Sequence, residues 1–578
     1  MDTLQVATVT ADKGVVVSRA DTLSSVHSFS VSDVLLRNSG LHVGDNGGLS
    51  GLKSVSLRGM GSAHTAIYVD GLRVGNVQSG QNDLGMLDAG IFEAAVVDYA
   101  QNSVSFKTLR PRLTDSGVAG IVRLDGGSFG TWLPSVRLDF RLSEDISLSA
   151  NASAVFSEGN YPYGGGQFRA NNDVRQMRGG VDLFGVMPEG EWHMKAFYNA
   201  ARRGTPGSVD WPSEDRQDDR DAFLQFAVNK KFTPVYSLNF ASKISYDDIA
   251  YTSAWGDSRY GQTEFQLNSS HGFQIRRWWK LSLAADVMWD ALASSNYDAS
   301  RLTAFSALAS SFRTDRLSAD LAVEYNGAFD SGMPARTAFS PSVGLKWDAF
   351  KGMSMSAFGR RAFRIPTFNE LYYVGYGNPR LKPENAWLSG VGLDFRRNFG
   401  RKWTVIAKTD GFFNYLTDKI TSAPSPEDPA IWAPYNVGRV RSAGLDIRAG
   451  FVHSGIWHYS VNVSWTFQSA VDMTPDSHTY GTQIPYVARN TVIVDGELSW
   501  KGWSLLPVWQ LRAGRTDGTG ELPDWNSLDI TLVKAFSFSG CGLTAKISAR
   551  NIADMRYEVV RGYPMPGRNM ICGIEFKF

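Results

Sequence analysis

The chain has 578 residues, with 58 Lys plus Arg against 57 Asp plus Glu, and 12% of its residues are aromatic. The even charge balance excludes a basic field for nucleic acid, and two cysteines exclude a disulfide framework or a paired metal-ligand spacing. No run of about 18 apolar residues marks a membrane-spanning helix. Met1-Asp2-Thr3-Leu4 lacks the basic region and apolar core of a secretory signal, so an exported product implies a signal that has been removed or is absent from this sequence.

The β-prone stretch Asp2–Ala11 has no turn to fold it back. It reads either as a frayed terminus or as an extended segment that lends a strand to a partner's sheet edge. Ser28–Leu36 carries Val31, Val34 and Leu35 at helical spacing, with a stop at Gly40. A glycine-rich loop over Gly44–Gly51 leads into Ser54–Gly71. There two β-type runs, Ser54–Leu57 and Thr65–Val69, flank a glycine-containing connection and end in Asp70-Gly71, the pattern of a hairpin. Asp88–Phe106 adds further short β pieces. Up to about residue 110 the chain reads as a small α+β domain.

From about Gly117 long alternating strands recur. Trp279, Leu281, Leu283, Ala285, Val287 and Trp289 share one face against Lys280, Ser282 and Asp286, with Met288 the large apolar exception on the polar side. Leu317–Tyr325 repeats the pattern, and in Trp457–Phe467 the alternation is complete. Soluble sandwiches also alternate. Here the apolar stripes run for about ten residues, enough to cross a tilted bilayer path, and carry bulky aromatics at both ends. Hydrocarbon offers the backbone no hydrogen-bond partner, so such a sheet must close on itself. About 460 residues at roughly 20 per strand and connection predict an all-β transmembrane barrel of about 22 antiparallel strands. A lumen that wide calls for a filling domain, and the N-terminal domain suits it. The expected organisation is 1–13 periplasmic segment, 14–112 plug domain and 113–578 barrel, with Val118–Asp125 as the first barrel strand. The alternative places the boundary near 126. Cys541 lies opposite the chain's end and Cys572 near the other rim, too far apart to bridge.

Several blocks then carry a family likeness. Ala362-Phe363-Arg364-Ile365-Pro366 and Asn378-Pro379-Arg380-Leu381-Lys382-Pro383-Glu384 are the strongest. Asn436-Val437-Gly438, Ala443-Gly444-Leu445-Asp446 and Arg550-Asn551-Ile552-Ala553-Asp554 follow in order, and Leu57-Arg58-Gly59 with Val69-Asp70-Gly71 match in the first domain. Together they resemble the TonB-dependent outer-membrane receptors over nearly the whole chain, and Glu158–Gly164, Arg202–Gly207 and the modest overall length resemble Bacteroidetes cobalamin-receptor-like members. Val97–Thr108 departs from the family by being shorter than the usual plug ending.

The resemblance implies a multi-pass protein of a Gram-negative outer membrane, importing a scarce nutrient without ATP at the protein itself and without enzymatic activity. TonB, with its inner-membrane energy-transducing complex, would pair with a Ton box at Thr3, Leu4, Gln5, Val6 and Ala7. Arg58, Gly59, Asp70 and Gly71 are the gating or structural plug residues, with Arg58 and Asp70 expected to pair with one another or with the barrel wall. Outer-membrane lipids and a small-molecule nutrient are the other partners, with a surface lipoprotein left open. Cobalamin or another corrinoid is the first ligand reading, haem or a ferric siderophore the alternative, and a passive porin-like or adhesin barrel the alternative of another class. Tyr161, Tyr163, Tyr372, Tyr373 and Tyr376, placed in outer loops, are the ligand-contact candidates. Thr367–Gly377 lacks the histidine usual in haem receptors, leaving His42 and His64 of the plug as the candidate axial ligands, read by default as ordinary polar residues. No cofactor is expected. Calcium is weighed at the acidic stretch Glu214–Asp221, read as a loop, and its interspersed arginines favour a solvated loop.

Overall fold

In the computed structural model, residues 18–25, 27–111, 113, 117–424 and 432–578 are described. The Ton-box candidates Thr3 to Ala7 lie outside the described residues.

The alternating strands close into a barrel of 22 antiparallel strands, running from Val118–Gly127 round to Asn569–Lys577. The last strand pairs back onto the first, Ile574 opposite Leu124, and the Gly120 and Phe578 backbones exchange hydrogen bonds of 2.9 and 3.0 Å. Connections at one rim are brief, as at 188–189 and 539–540. At the other they lengthen to 365–383 and 551–568. Short turns mark the periplasmic rim of bacterial barrels and long loops the outer one.

The predicted faces fall where two different surroundings demand them. Leu283, Val287 and Trp289 stand outward and exposed, while Ser282, Ala284 and Asp290 are buried towards the lumen. Val461, Val463 and Phe467 face out against buried Ser464 and Thr466. Met288 lies inside and lines a lumen cavity. Aromatics gather at the short-turn rim, where Trp279 stacks on Phe312 with ring centres 6.2 Å apart and Trp457 on Trp500 at 5.1 Å. This is the girdle expected at a membrane interface. Both cysteines are free.

Inside the barrel, a five-stranded sheet runs β1(Ala20–Ser24), β6(Phe92–Asp98), β7(Ser103–Thr108), β4(Ala66–Val69), β5(Leu72–Val74). One short helix, α1(Val31–Leu35), starts at Ser30, whose side chain accepts from Asp33 N while Asp33 accepts from Ser30 N, a reciprocal cap. The plug core packs Leu35, Leu41, Leu57, Ile67, Val97, Val104 and Phe106, all nearly inaccessible.

Three local expectations are corrected. The runs over 54–57 and 65–69 do not form a hairpin. β3(Lys53–Leu57) pairs with β2(Leu41–Asp45), whereas β4 pairs in parallel with β7 and antiparallel with β5. The reason lies in the connection: Arg58 (φ 45°), Gly59 (φ 69°) and Gly61 (φ 91°) turn the chain away from β3 before a 3-10 turn over Ser62–His64. Gly44, read as the start of a loop, is a β2 residue. The acidic stretch 214–221 is also not a loop, since it lies within the strand Pro212–Lys231, paired on both sides. The strands here run well past the bilayer, where no lipid-facing alternation is needed to hold them.

Candidate functional site

The opening stretch supplies the bolt between plug and wall. Arg58 ends β3 in the left-handed region, and its guanidinium donates to Asp446 Oδ2 at 2.7 and 3.0 Å. The same group lies flat between the Tyr99 ring at 4.0 Å and the Phe412 ring at 4.5 Å. Ser442 Oγ donates to Arg58 O at 2.7 Å, and Thr466 Oγ1 to Asp446 Oδ1 at 2.8 Å. Gly59 must be glycine on two counts: its φ is positive, and an added Cβ would sit 2.8 Å from Ala470 Cβ on the wall. Arg58 and Asp70 do not meet. Asp70, in the Asp70-Gly71 turn joining β4 to β5, accepts from Thr108 N at 2.8 Å and Thr108 Oγ1 at 2.5 Å. Its charge is spent on tying the end of β7.

Tyr99 extends the bolt towards the periplasm. Its hydroxyl donates to Asp21 Oδ2 at 3.0 Å, and Asp21 is held by Lys408 (2.8 Å) and Arg448 (3.2 Å) of the wall. Burial alone would raise the Asp21 pKa. The two cations outweigh it and keep the carboxyl below its ordinary range. Arg19, two residues earlier, binds Asp410 at 2.6 Å and also Asp394. The first described residues are thus fastened to the wall by charge pairs, beside a cavity of about 990 Å³ at the periplasmic mouth. Replacing Arg19 with Ala should speed hydrogen exchange over Ala20–Ser24 by about tenfold or more, measured on the whole protein. An unchanged rate would remove this fastening from the account.

Towards the outside, the 3-10 turn brings Met60, Ala63 and His64 to a chamber of about 290 Å³ between plug and wall. Met60 packs on Phe358, Ala386 and Leu388 of the wall. His64 Nε2 is bonded to Glu384. The roof is loop 365–383, whose helix α2(Phe368–Tyr372) is capped by Thr367 with Glu370. Phe368 N donates to Val77 O at 3.0 Å and Asn369 N to Gln78 O at 2.9 Å, so the loop is bonded directly to the plug. Arg301 holds it from the wall, with Nη1 donating to Pro366 O at 2.9 Å while two nitrogens grip Asp330.

The five predicted tyrosines fall into two groups. Tyr372 donates to Asp330 Oδ2 at 2.7 Å, Tyr373 meets the Tyr297 ring edge-on at 6.2 Å, and Tyr376 bonds Ser422. Burial, then the Asp330 carboxylate, pushes the Tyr372 pKa upward, so it stays a neutral donor. Tyr161 and Tyr163 stand in another loop. Tyr161 is only 1% exposed, donates to Pro564 O at 2.7 Å and packs on plug Gly47 and Gly48. Tyr163 belongs to the two-stranded piece Pro162–Gly164 with Gln167–Phe168. His42 is on β2 in a small cavity, where burial and the neighbouring Arg512 and Arg515 lower its pKa to about 4. It is neutral at physiological pH.

Sequence reasoning missed Tyr297, Asp330 and Arg301, which no local pattern singles out, and the wall partners Asp394, Asp410, Lys408 and Arg448. Asp446 stood at the end of the quoted Ala443–Asp446 block without a role. For calcium, the stretch 214–221 offers charges already engaged, with Arg216 bound to Asp173 at 2.8 Å and Asp219 to Arg203 at 3.2 Å.

The comparisons agree with this architecture. Residues 160–552 match the family model of the TonB-dependent receptor-like β-barrel, and residues 8–108 that of the TonB-dependent receptor plug domain. The chain is 23% identical to the vitamin B12 transporter BtuB of Vibrio vulnificus, over 97% of this chain and 92% of that one. To the vitamin B12 transporter BtuB of Vibrio cholerae it is 21% identical with the same coverage. Among solved structures, the FrpB iron transporter from Neisseria meningitidis superposes with a TM-score of 0.79 at 13% identity, covering 97% of this chain and 99% of that one. The ferric citrate transporter FecA gives 0.78 at 12%, covering 99% and 100%. At those identities the likeness speaks for the fold alone. A lumen filled by a bonded plug, with two family models matched in order, sets aside the porin-like and adhesin readings. The chain belongs to the TonB-dependent receptor family, outer-membrane transporters of Gram-negative bacteria.

Proposed function

We propose that the imported nutrient is cobalamin or another corrinoid. The observation that carries this reading is the similarity to vitamin B12 transporters along 97% of the chain, through plug and barrel alike. The outer loops support it. Loop 365–383 is bonded to the plug at Val77 and Gln78 and carries Tyr372 and Tyr373 against Tyr297, with ring centres 6.3 and 6.2 Å apart, an aromatic cluster of the kind that contacts a corrin. Of the three plug histidines, His64 already bonds Glu384 through Nε2, His42 lies in a separate small cavity, and His27 lines neither that cavity nor the chamber. That leaves haem the weaker fit.

In this reading the ligand settles against loop 365–383 and the plug apex. TonB engages the Ton box in the periplasm, and the two sites communicate through the plug. The test is equilibrium binding of cyanocobalamin, haem and ferric siderophores to the detergent-purified protein. Submicromolar binding of cyanocobalamin alone is expected, as befits a scavenger, that is about 8 kcal/mol or more. Tight haem binding with none to corrinoids overturns it.

A further inference from the structure

The lumen wall above mid-height carries an arc of carboxylates on four consecutive strands: Asp221 on Pro212–Lys231, Asp247 on Tyr236–Thr252, Glu264 on Ser258–Arg276 and Asp290 on Trp279–Ser294. Pair registers make them neighbours, with Asp221 directly opposite Asp247 and Glu264 directly opposite Asp290. Like charges placed opposite one another on paired strands are destabilising, so this wall is held at a cost. The arc faces two cavities. Glu264 and Asp290 line the chamber of about 290 Å³, and Asp221 and Asp247 line one of about 210 Å³. Plug residues Gly75 and Asn76 border both.

Neighbouring groups satisfy the arc only in part, Asn199 Nδ2 donating to Asp221 Oδ2 at 2.7 Å. Lys243 lies 2.7 Å from Glu264 but also donates to Arg73 O at 2.6 Å. Arg203 is divided between Asp83 and Asp219. Within the chamber, Arg301, Arg360 and Arg364 are bound to Asp330, Glu324 and Glu384 respectively. Arg73 of the plug also lines the chamber. Asp290 is the telling residue. It is fully buried at 0% exposure and lines the chamber, yet neither carboxylate oxygen has a hydrogen-bond partner. Gln266 Oε1 beside it is also unpartnered. A buried acceptor left so is costly, and its natural complement is a donor. Among the described residues no three His, Cys, Asp or Glu side chains are grouped to hold a metal ion, so the complement is a hydrogen-bond donor, N–H or O–H, and the corrinoid reading supplies N–H.

We propose that this arc, centred on Asp290 and Glu264, is an inner contact site for neutral ligands rich in N–H donors, primary amides above all, and that it turns away ligands presenting carboxylates or catecholates. The proposal rests on the corrinoid reading and sharpens it: the corrin rim of cobalamin carries primary amides, whereas haem, ferric citrate and catecholate siderophores present anionic oxygens. Charge-assisted N–H to carboxylate bonds are about twice as strong as neutral ones. An anion in the same place meets repulsion in a low-dielectric wall.

The experiment uses the whole detergent-purified protein and measures affinity for cyanocobalamin and for each of its peripheral monocarboxylic acids, in which one amide is replaced by a carboxylate. At least one acid should bind about tenfold or more weakly than the amide form, and in Asp290→Asn that gap should close to about twofold. Because Asp290 makes no hydrogen bond, this isosteric change breaks none, and retained heat-modifiable migration confirms the fold. Asp247→Asn, on the neighbouring cavity, gives a second and independent narrowing. Equal binding of amide and every acid by the unaltered protein overturns the proposal, as does a gap that survives both substitutions. Failure of cyanocobalamin itself to bind overturns the corrinoid reading and the site with it.

Discussion

Deletion of residues 2–11 is expected to abolish energised uptake while leaving ligand affinity within about twofold of the intact protein. The two halves of this expectation come from opposite ends of the molecule. The chamber proposed to receive the ligand is built from loop 365–383, the 3-10 turn over Ser62–His64 and the outer wall, none of which includes the N-terminal segment. Energy, by contrast, must enter at the periplasmic side, where the β-prone Asp2–Ala11 is suited to strand addition. Force applied there reaches Arg19 and Asp21 first, since these fasten the chain to Asp394, Asp410, Lys408 and Arg448 of the wall. From Asp21 a contiguous set of contacts runs through Tyr99 to Arg58. Uptake of radiolabelled cyanocobalamin by cells carrying the deletion, beside binding to the purified protein, separates the two halves. Persistent uptake would refute TonB coupling through this segment.

Replacing Arg58 with Ala should loosen the plug more than any other single change in the described lumen contacts. The guanidinium is 3% exposed, paired with Asp446 and sandwiched between two rings. Removing one partner of such a buried pair costs about 3–5 kcal/mol, because the other charge is stranded. Arg58→Lys should fail nearly as badly, since a point charge replaces neither the two-nitrogen grip nor the flat stacking. The stranded charge also predicts a recovery. Arg58→Leu with Asp446→Leu should be distinctly more stable than either single change, as apolar replacement of a whole buried pair is often neutral or favourable. Ion conductance in planar bilayers reads the plug's seal, and thermal unfolding its stability. Arg58→Ala should conduct where the native protein is closed. A tight, unaltered seal in that variant would make the bolt ornamental.

Much of the barrel is legible in the sequence because its physics is local. A strand with hydrocarbon on one side and a polar lumen on the other must alternate residue by residue, so Trp279–Trp289 and Trp457–Phe467 announce their faces without knowledge of any neighbour. Closure and strand number follow from the absence of water in the bilayer. The limits appear where that constraint stops. Residues 214–221 are strand, yet they read as a loop, since beyond the lipid both faces are free to carry charge. The plug is harder still. Lys53–Leu57 and Ala66–Val69 look like a hairpin and join different sheets, because the partner of β4 is β7, Ile67 opposite Val104, a pairing no local pattern encodes.

The site divides in the same way. Arg58, Gly59 and Asp70 could be named from the chain by their likeness to the family's plug pattern, with Asp70-Gly71 also a local turn signal, but their partners could not. That Arg58 reaches Asp446 while Asp70 ties Thr108 depends on which wall strand stands beside which plug strand. The five tyrosines were drawn from loops by residue type. Only the fold separates Tyr372 and Tyr373, gathered with Tyr297 at loop 365–383, from Tyr161, spent on packing against the plug. By itself, then, the sequence determined the membrane and the barrel, consequences of the medium each residue meets, and, through its motif blocks, the likeness to the family and its plug. The tertiary structure alone decided the bolts, the chamber and the carboxylate arc, because those depend on groups hundreds of residues apart in the chain and brought together by closure of the barrel around its plug.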